Sequence, residues 1–186
     1  RSPQDVLDSF RQVYSALEHP GAIHRYASST LRFTYVSPPD KNASTWNDLE
    51  LQDGELTQHL QPDPTKPVAI YLPGLDGYGV SASTQFDDLA NTFQFWRLTI
   101  LPDDRSSLTE VIATIVNFVS DFRNVTLIGE SCGGLLAAVS ALNPKLKDRL
   151  QGLVLVNPAT SFDQTAWDSL VPLLASLENN DTSVDE

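Results

Sequence analysis

Residues 128–134 read Ile-Gly-Glu-Ser-Cys-Gly-Gly, which sets a serine beside the chain's single cysteine, between glycines, straight after the apolar run "VTLI". Gly129-Glu130-Ser131-Cys132-Gly133 fits G-x-S-x-G, the pattern that lifts a nucleophilic serine onto a sharp turn between a strand and a helix. A serine hydroxyl attacks an acyl carbon once a neighbouring base takes its proton, so Ser131 is a candidate nucleophile. The glycines answer to crowding, because strand and helix pass close together at such a turn and leave no room for side chains. Gly134, Ala137 and Ala138 extend the small-residue face into the following segment. The competing reading is a tight turn with an idle serine. The pentapeptide alone is a weak signal; the strand-to-helix setting favours the nucleophile and leaves the idle serine as the alternative.

Acyl transfer also needs donors for the negative charge that develops on the carbonyl oxygen. One is the backbone N–H of the residue after the nucleophile, here Cys132; the other comes from a loop after an earlier strand. "LPGLDGYG" (72–79) is in that place, and puts the second donor at Leu75. A glycine-rich turn can instead cradle a phosphate, but neither G-K-[ST] nor G-x-G-x-x-G follows. A nucleophilic cysteine would occupy the centre of the elbow, and Ser131 holds it, so Cys132 is expected to pack beneath the turn and supply its amide. Glu130 reads as an acid, an orienting group or, more commonly, a solvated turn residue. Asp76 is suited to hydrogen-bonding its own loop.

The elements that must carry these loops are legible from Pro67 onward. "VAIYL" (68–72), "FWRLTIL" (95–101), "VTLIG" (125–129) and "GLVLV" (152–156) read as strands. Helical stretches near 82–92, over 107–122, over 134–142 and near 164–177 alternate with them, and Ser107 with Glu110 forms a capping-box pattern. Apolar strands alternating with helices of this length imply a mostly parallel sheet covered on both faces, an α/β fold. Upstream, "SPQDVLDSFRQVYSALEHPG" (2–21) has a helix's punctuation and "LRFTYV" (31–36) a strand's alternation. Residues 40–66 are polar, with a hairpin expected around Asp53-Gly54. The expected organisation is residues 1–66 as a helix and peripheral polar segment, 67–177 as the core, and 178–186 as an acidic tail or linker.

Composition excludes several function classes. A net charge of −12 argues against nucleic acid, since phosphate contacts need clustered Lys and Arg. No apolar run approaches the ~20 residues of a membrane-spanning helix. A single cysteine excludes a disulfide framework and a Cys-rich metal site, and no cofactor is called for. Of the sequons at Asn42, Asn124 and Asn180, the middle one begins an expected buried strand and reads as chance.

With both loops in hand, the chain resembles the α/β-hydrolases, and within them the plastid esterase/lipase/thioesterase group that includes the phytyl ester synthases. "YLPGLDGYG" (71–79), "VTLIGESCGG" (125–134) and "LVLVNPATSF" (153–162) carry the resemblance. "NPATSF" is the most specific of the three. The group's usual elbow is G-D-S-F-G-G, from which Glu130 and Cys132 depart while the nucleophile and glycines stand. The resemblance implies transfer of fatty acyl groups from an acyl lipid or acyl thioester to an alcohol such as phytol or diacylglycerol, in a plastid. It implies Ser131 as nucleophile, with Leu75 and Cys132 as oxyanion donors.

Such a triad runs serine, then acid, then histidine along the chain, yet the histidines here are His19, His24 and His59, all before Ser131. Asp163 and Asp168 follow the last core strand, earlier than the acid's usual place. The start at Arg1, the lack of methionine and the acidic end lead to the expectation that the natural protein continues past Glu186. A further segment or second polypeptide would then supply acid and histidine and complete the fold. The alternative is an inactive hydrolase-like binding or scaffold subunit.

Overall fold

The computed structural model describes residues 23–38 and 62–159. The expected helix over 2–21, the hairpin at Asp53-Gly54, the helix near 164–177 and the acidic tail lie outside the described residues, as do His19, His59, Asp163 and Asp168.

Among the described residues, six strands form one sheet: β1 (His24–Tyr26), β2 (Leu31–Val36), β3 (Val68–Leu72), β4 (Gln94–Ile100), β5 (Val125–Glu130) and β6 (Leu150–Val156). Their order is β1-β2-β4-β3-β5-β6. The first two strands run antiparallel to the neighbours they pair with, while β4, β3, β5 and β6 are mutually parallel. The parallel part is what the strand–helix alternation predicts. β1 is an addition, too short at three residues to leave a periodic signal.

The side-chain period of two sends the sheet's residues to opposite faces. Val68, Ile70 and Leu72 of β3 join Leu127 of β5 and Trp96 of β4 in one apolar layer with Ile115, Val116 and Val119 of α2 (Leu108–Val119) and Leu136 of α3 (Cys132–Ala141). Ala69 and Tyr71, between them in sequence, face the other way onto Phe86 and Ala90 of α1 (Phe86–Thr92). β3 is therefore buried at all five positions. That is why it reads as a continuous apolar run and not as an alternation.

Local signals fix the helix ends. The Ser107 hydroxyl accepts from the Glu110 N–H, and the Glu110 carboxylate accepts from the Ser107 N–H at 2.7 Å, closing the predicted capping box of α2. The stretch expected to be helical near 82–92 splits into a 3-10 segment (Val80–Gln85) and α1. Asn124 stands just ahead of β5 with φ 56°, a left-handed turn residue and not the first residue of the strand. Among the described residues, no helix is long and apolar enough to cross a membrane.

Candidate active site

The register of β3 on β5 brings the two loops together. Leu72 pairs with Gly129, two residues before Ser131, so Gly74, two residues after Leu72, arrives level with the serine. A Cβ built on Gly74 would lie 3.4 Å from the Ser131 Cβ. Parallel neighbours end on the same side of the sheet, so both loops emerge at the carboxyl edge, where open α/β sheets bind ligands.

Ser131 is the N-cap of α3, with φ 53° and ψ −120°. A residue with a Cβ rarely holds a positive φ, and the strain is of the order of 1–3 kcal/mol. Three backbone bonds keep it there. The Ser131 N–H donates to the Val156 carbonyl at 3.0 Å, and the Ser131 carbonyl accepts from Gly134 and Ala159, each at 2.9 Å. The side chain is thus free of a capping duty: no side-chain cap bond forms at this N-cap.

The glycines have the predicted reason. A Cβ on Gly129 would strike the Gly133 carbonyl, and one on Gly133 would strike the Leu72 carbonyl, so β5, α3 and the end of β3 meet backbone to backbone. On Gly134 it would lie 2.6 Å from the Pro158 Cβ, which places the start of "NPATSF" against the elbow. Asn157, just before that proline, has φ 43°.

The loop after β3 is built as a turn. Gly77 N–H donates to the Gly74 carbonyl at 3.1 Å, which sets Leu75 and Asp76 at its two central positions. Gly77 and Gly79 have φ of 70° and 77°, conformations open to glycine at little cost. The Asp76 carboxylate accepts from the Val80 N–H at 2.6 Å, the structural role expected of it. Leu75 projects outward, 63% exposed, on the loop that faces Ser131. Cys132 opens α3, half-buried, with its Sγ 4.0 Å from the Ser131 Oγ.

Two contributions were not legible locally. Glu130, which the sequence leaves as an acid, an orienting group or, more commonly, a solvated turn residue, is half-buried and accepts hydrogen bonds from the Tyr71 hydroxyl and, at 2.7 Å, from the Ser81 hydroxyl. Burial, then the adjacent Glu130 carboxylate, pushes the Tyr71 phenol far above its ordinary value, so it remains a donor at any physiological pH. These partners are 59 and 49 residues from Glu130, and only the β3–β5 register joins them. The second is Arg97, which the sequence reading passed over; the signal that could have found it is a cation inside the strand "FWRLTIL". It is 1% exposed and donates to the Tyr78 carbonyl at 3.1 Å, bracing the loop from β4. Burial pushes it down to about 10, and it keeps its charge at neutral pH.

His24 is not part of this site. It lies on β1, four strand spacings from β5, roughly 19 Å at ~4.8 Å per spacing. Its Nδ1 is 2.9 Å from the Thr34 Oγ1. Among the described residues, no group of three or more His, Cys, Asp or Glu is placed to hold a metal ion.

No protein-family model matches the chain. Over 101 residues, 50% of its length, it is 37% identical to phytyl ester synthase 2, chloroplastic, of Arabidopsis thaliana. Over 120 residues, 61% of its length, it is 32% identical to phytyl ester synthase 1, chloroplastic, of the same plant. The matched stretches make up 14% and 17% of those relatives, so the chain spans a small part of the curated proteins it resembles. Among solved structures, the naproxen esterase (carboxylesterase NP) of Bacillus subtilis superposes with a TM-score of 0.56 at 14% identity. The match covers 89% of this chain and 54% of that one. At that identity the likeness is one of fold: the mostly parallel sheet and its helices are those of an α/β-hydrolase, covered over about half its extent.

Proposed function

We propose that this chain, an α/β-hydrolase related to the phytyl ester synthases, is the nucleophile-bearing part of a serine-dependent acyl-transfer enzyme. The observation that carries the reading is the backbone of Ser131: a non-glycine residue held at φ 53° and ψ −120° between β5 and α3. A structural turn at that point would take glycine and relieve the strain; a nucleophile needs the side chain.

In this reading the Ser131 hydroxyl attacks the acyl carbonyl and the N–H groups of Leu75 and Cys132 receive the developing oxyanion. The acyl-serine then passes its acyl group to an alcohol or to water. The proton of Ser131 needs a histidine oriented by an acid. This chain has no histidine after Ser131, and His24 is on the far edge of the sheet. In this reading both groups are supplied by a further segment or a second polypeptide. The names of the relatives support a phytyl-type alcohol as acceptor and a plastid location, and the resemblance of the loops implies a fatty acyl donor. The apolar, outward-facing Leu75 beside the nucleophile suits an acyl chain better than a polar substrate.

The full-length protein should react with a serine-directed fluorophosphonate probe, losing fluoride as the Ser131 oxygen is phosphonylated, and Ser131→Ala should abolish the label. A full-length protein that takes up no probe, or that takes it up equally after Ser131→Ala, overturns the nucleophile. The missing histidine favours a second reading, a binding or scaffold subunit, and an unlabelled protein would support it.

A further inference from the structure

We propose that Glu130 is a positioning residue that locks the oxyanion loop, residues 73–79, against the nucleophile. This inference rests on the acyl-transfer reading of Ser131 and concerns how that site is held in register. The Glu130 carboxylate is fixed at both oxygens, and its two partners flank the loop in sequence. Tyr71 is two residues before Pro73, 2% exposed on β3, and donates to Oε2. Ser81, two residues past Gly79, donates to Oε1 at 2.7 Å. One side chain next to the nucleophile therefore ties down both ends of the segment that carries Leu75.

The need for such a tie follows from the geometry. The loop has two positive-φ glycines, and Leu75 and Asp76 span its central turn. An oxyanion donor must hold its place to within a few tenths of an ångström to be effective in the transition state. A second consequence is electrostatic. A carboxylate adjacent to Ser131 opposes a developing oxyanion, and two hydroxyl donors directed at its oxygens draw that charge away from the reacting centre. The Tyr71 ring is itself wedged between Gly79, where a Cβ would strike it, and Phe86, at 5.4 Å between centroids. The hydroxyl that meets Glu130 is therefore fixed by packing.

The test uses the full-length protein with Glu130→Gln, Tyr71→Phe, Ser81→Ala and the Tyr71→Phe/Glu130→Gln double variant. Amide hydrogen exchange in residues 74–80 should quicken about tenfold in each single variant, while β5 amides change by less than twofold. Fluorophosphonate labelling of Ser131 should slow by about tenfold, and the double variant should be no slower than Glu130→Gln alone. With an acyl ester substrate, kcat should fall and KM hold within twofold. Unchanged exchange in 74–80, or labelling that falls only with the folded fraction, overturns the proposal. If Glu130→Gln does not fold, the two hydroxyl deletions carry the same measurements. A wild-type protein that fails to label sinks the acyl-transfer reading, while the exchange data still decide whether Glu130 holds the loop.

Discussion

Gly74 stands directly against Ser131: the nearest heavy atom to a Cβ built on the glycine is the serine's own Cβ, at 3.4 Å. Gly77 and Gly79 of the same loop, in contrast, have positive φ and would bring a Cβ onto the Ile100 carbonyl and the Tyr71 ring. The two kinds of glycine predict different outcomes. Gly74→Ala should shift the melting temperature by no more than about 2 °C, since 3.4 Å is an ordinary contact. It should still slow fluorophosphonate labelling of Ser131 several-fold, because the new methyl fills the space beside the nucleophile. A melting temperature lowered as far as labelling is slowed would show that Gly74 serves packing alone.

Gly133 makes the opposite prediction. Its hydrogen faces the Leu72 and Pro73 carbonyls, backbone atoms that cannot rotate aside. Gly133→Ala forces α3 away from the end of β3 and should cost about 3 kcal/mol, at the upper end of overpacking effects. A full-length protein carrying it should melt well below wild type or accumulate as insoluble material. Alanine tolerated within ~0.5 kcal/mol would mean that the helix and the strand end are looser than their contacts indicate.

What could be read from the sequence follows from the range over which each signal acts. β3 was legible because burial on both faces leaves a continuous apolar run, β5 because Val125, Leu127 and Ile128 cluster just ahead of the glycines, and the elbow because crowding demands glycines within five residues. The capping box was legible for the same reason: Ser107 and Glu110 meet within a single turn. Glu130 was not, because its donors Tyr71 and Ser81 reach it only through the pairing of Leu72 with Gly129. Arg97 was passed over as one charge in a strand, and its acceptor, the Tyr78 carbonyl, belongs to a loop before that strand. β1 escaped because three residues carry no period, and Asn124 was assigned to the strand because nothing in its type marks the φ of 56° it adopts.

The cap of α2 makes a prediction of known scale. The Ser107 hydroxyl accepts from the Glu110 N–H, and the Glu110 carboxylate accepts from both the Ser107 N–H and hydroxyl, each at 2.7 Å. Those bonds hold the Glu110 carboxyl below its ordinary value. Ser107→Ala should destabilise by about 1 kcal/mol, the usual cost of losing such a cap. Ser107→Thr, which keeps a hydroxyl that both accepts and donates at the cap, should recover most of it. Thermal melting of the three proteins under one buffer is sufficient, and equal losses in both variants would exclude the cap as the cause.

His24 predicts a pH dependence unrelated to catalysis. Burial, and then the nearby charge of Arg97, lowers its pKa below the ordinary 6.5. Above 6.5 the imidazole is neutral in both folded and unfolded chains, and its contribution to stability is fully present. As the pH falls below 6.5 the unfolded chain takes up the proton first, so stability is lost until the pH passes the folded-state value. His24→Gln, which retains a polar partner for the Thr34 hydroxyl on the paired strand, removes that titration. Between pH 7.5 and 5.5 the wild-type melting temperature should therefore fall further than that of His24→Gln, in matched buffers of equal ionic strength. Parallel curves for the two proteins would place the acid sensitivity at other groups.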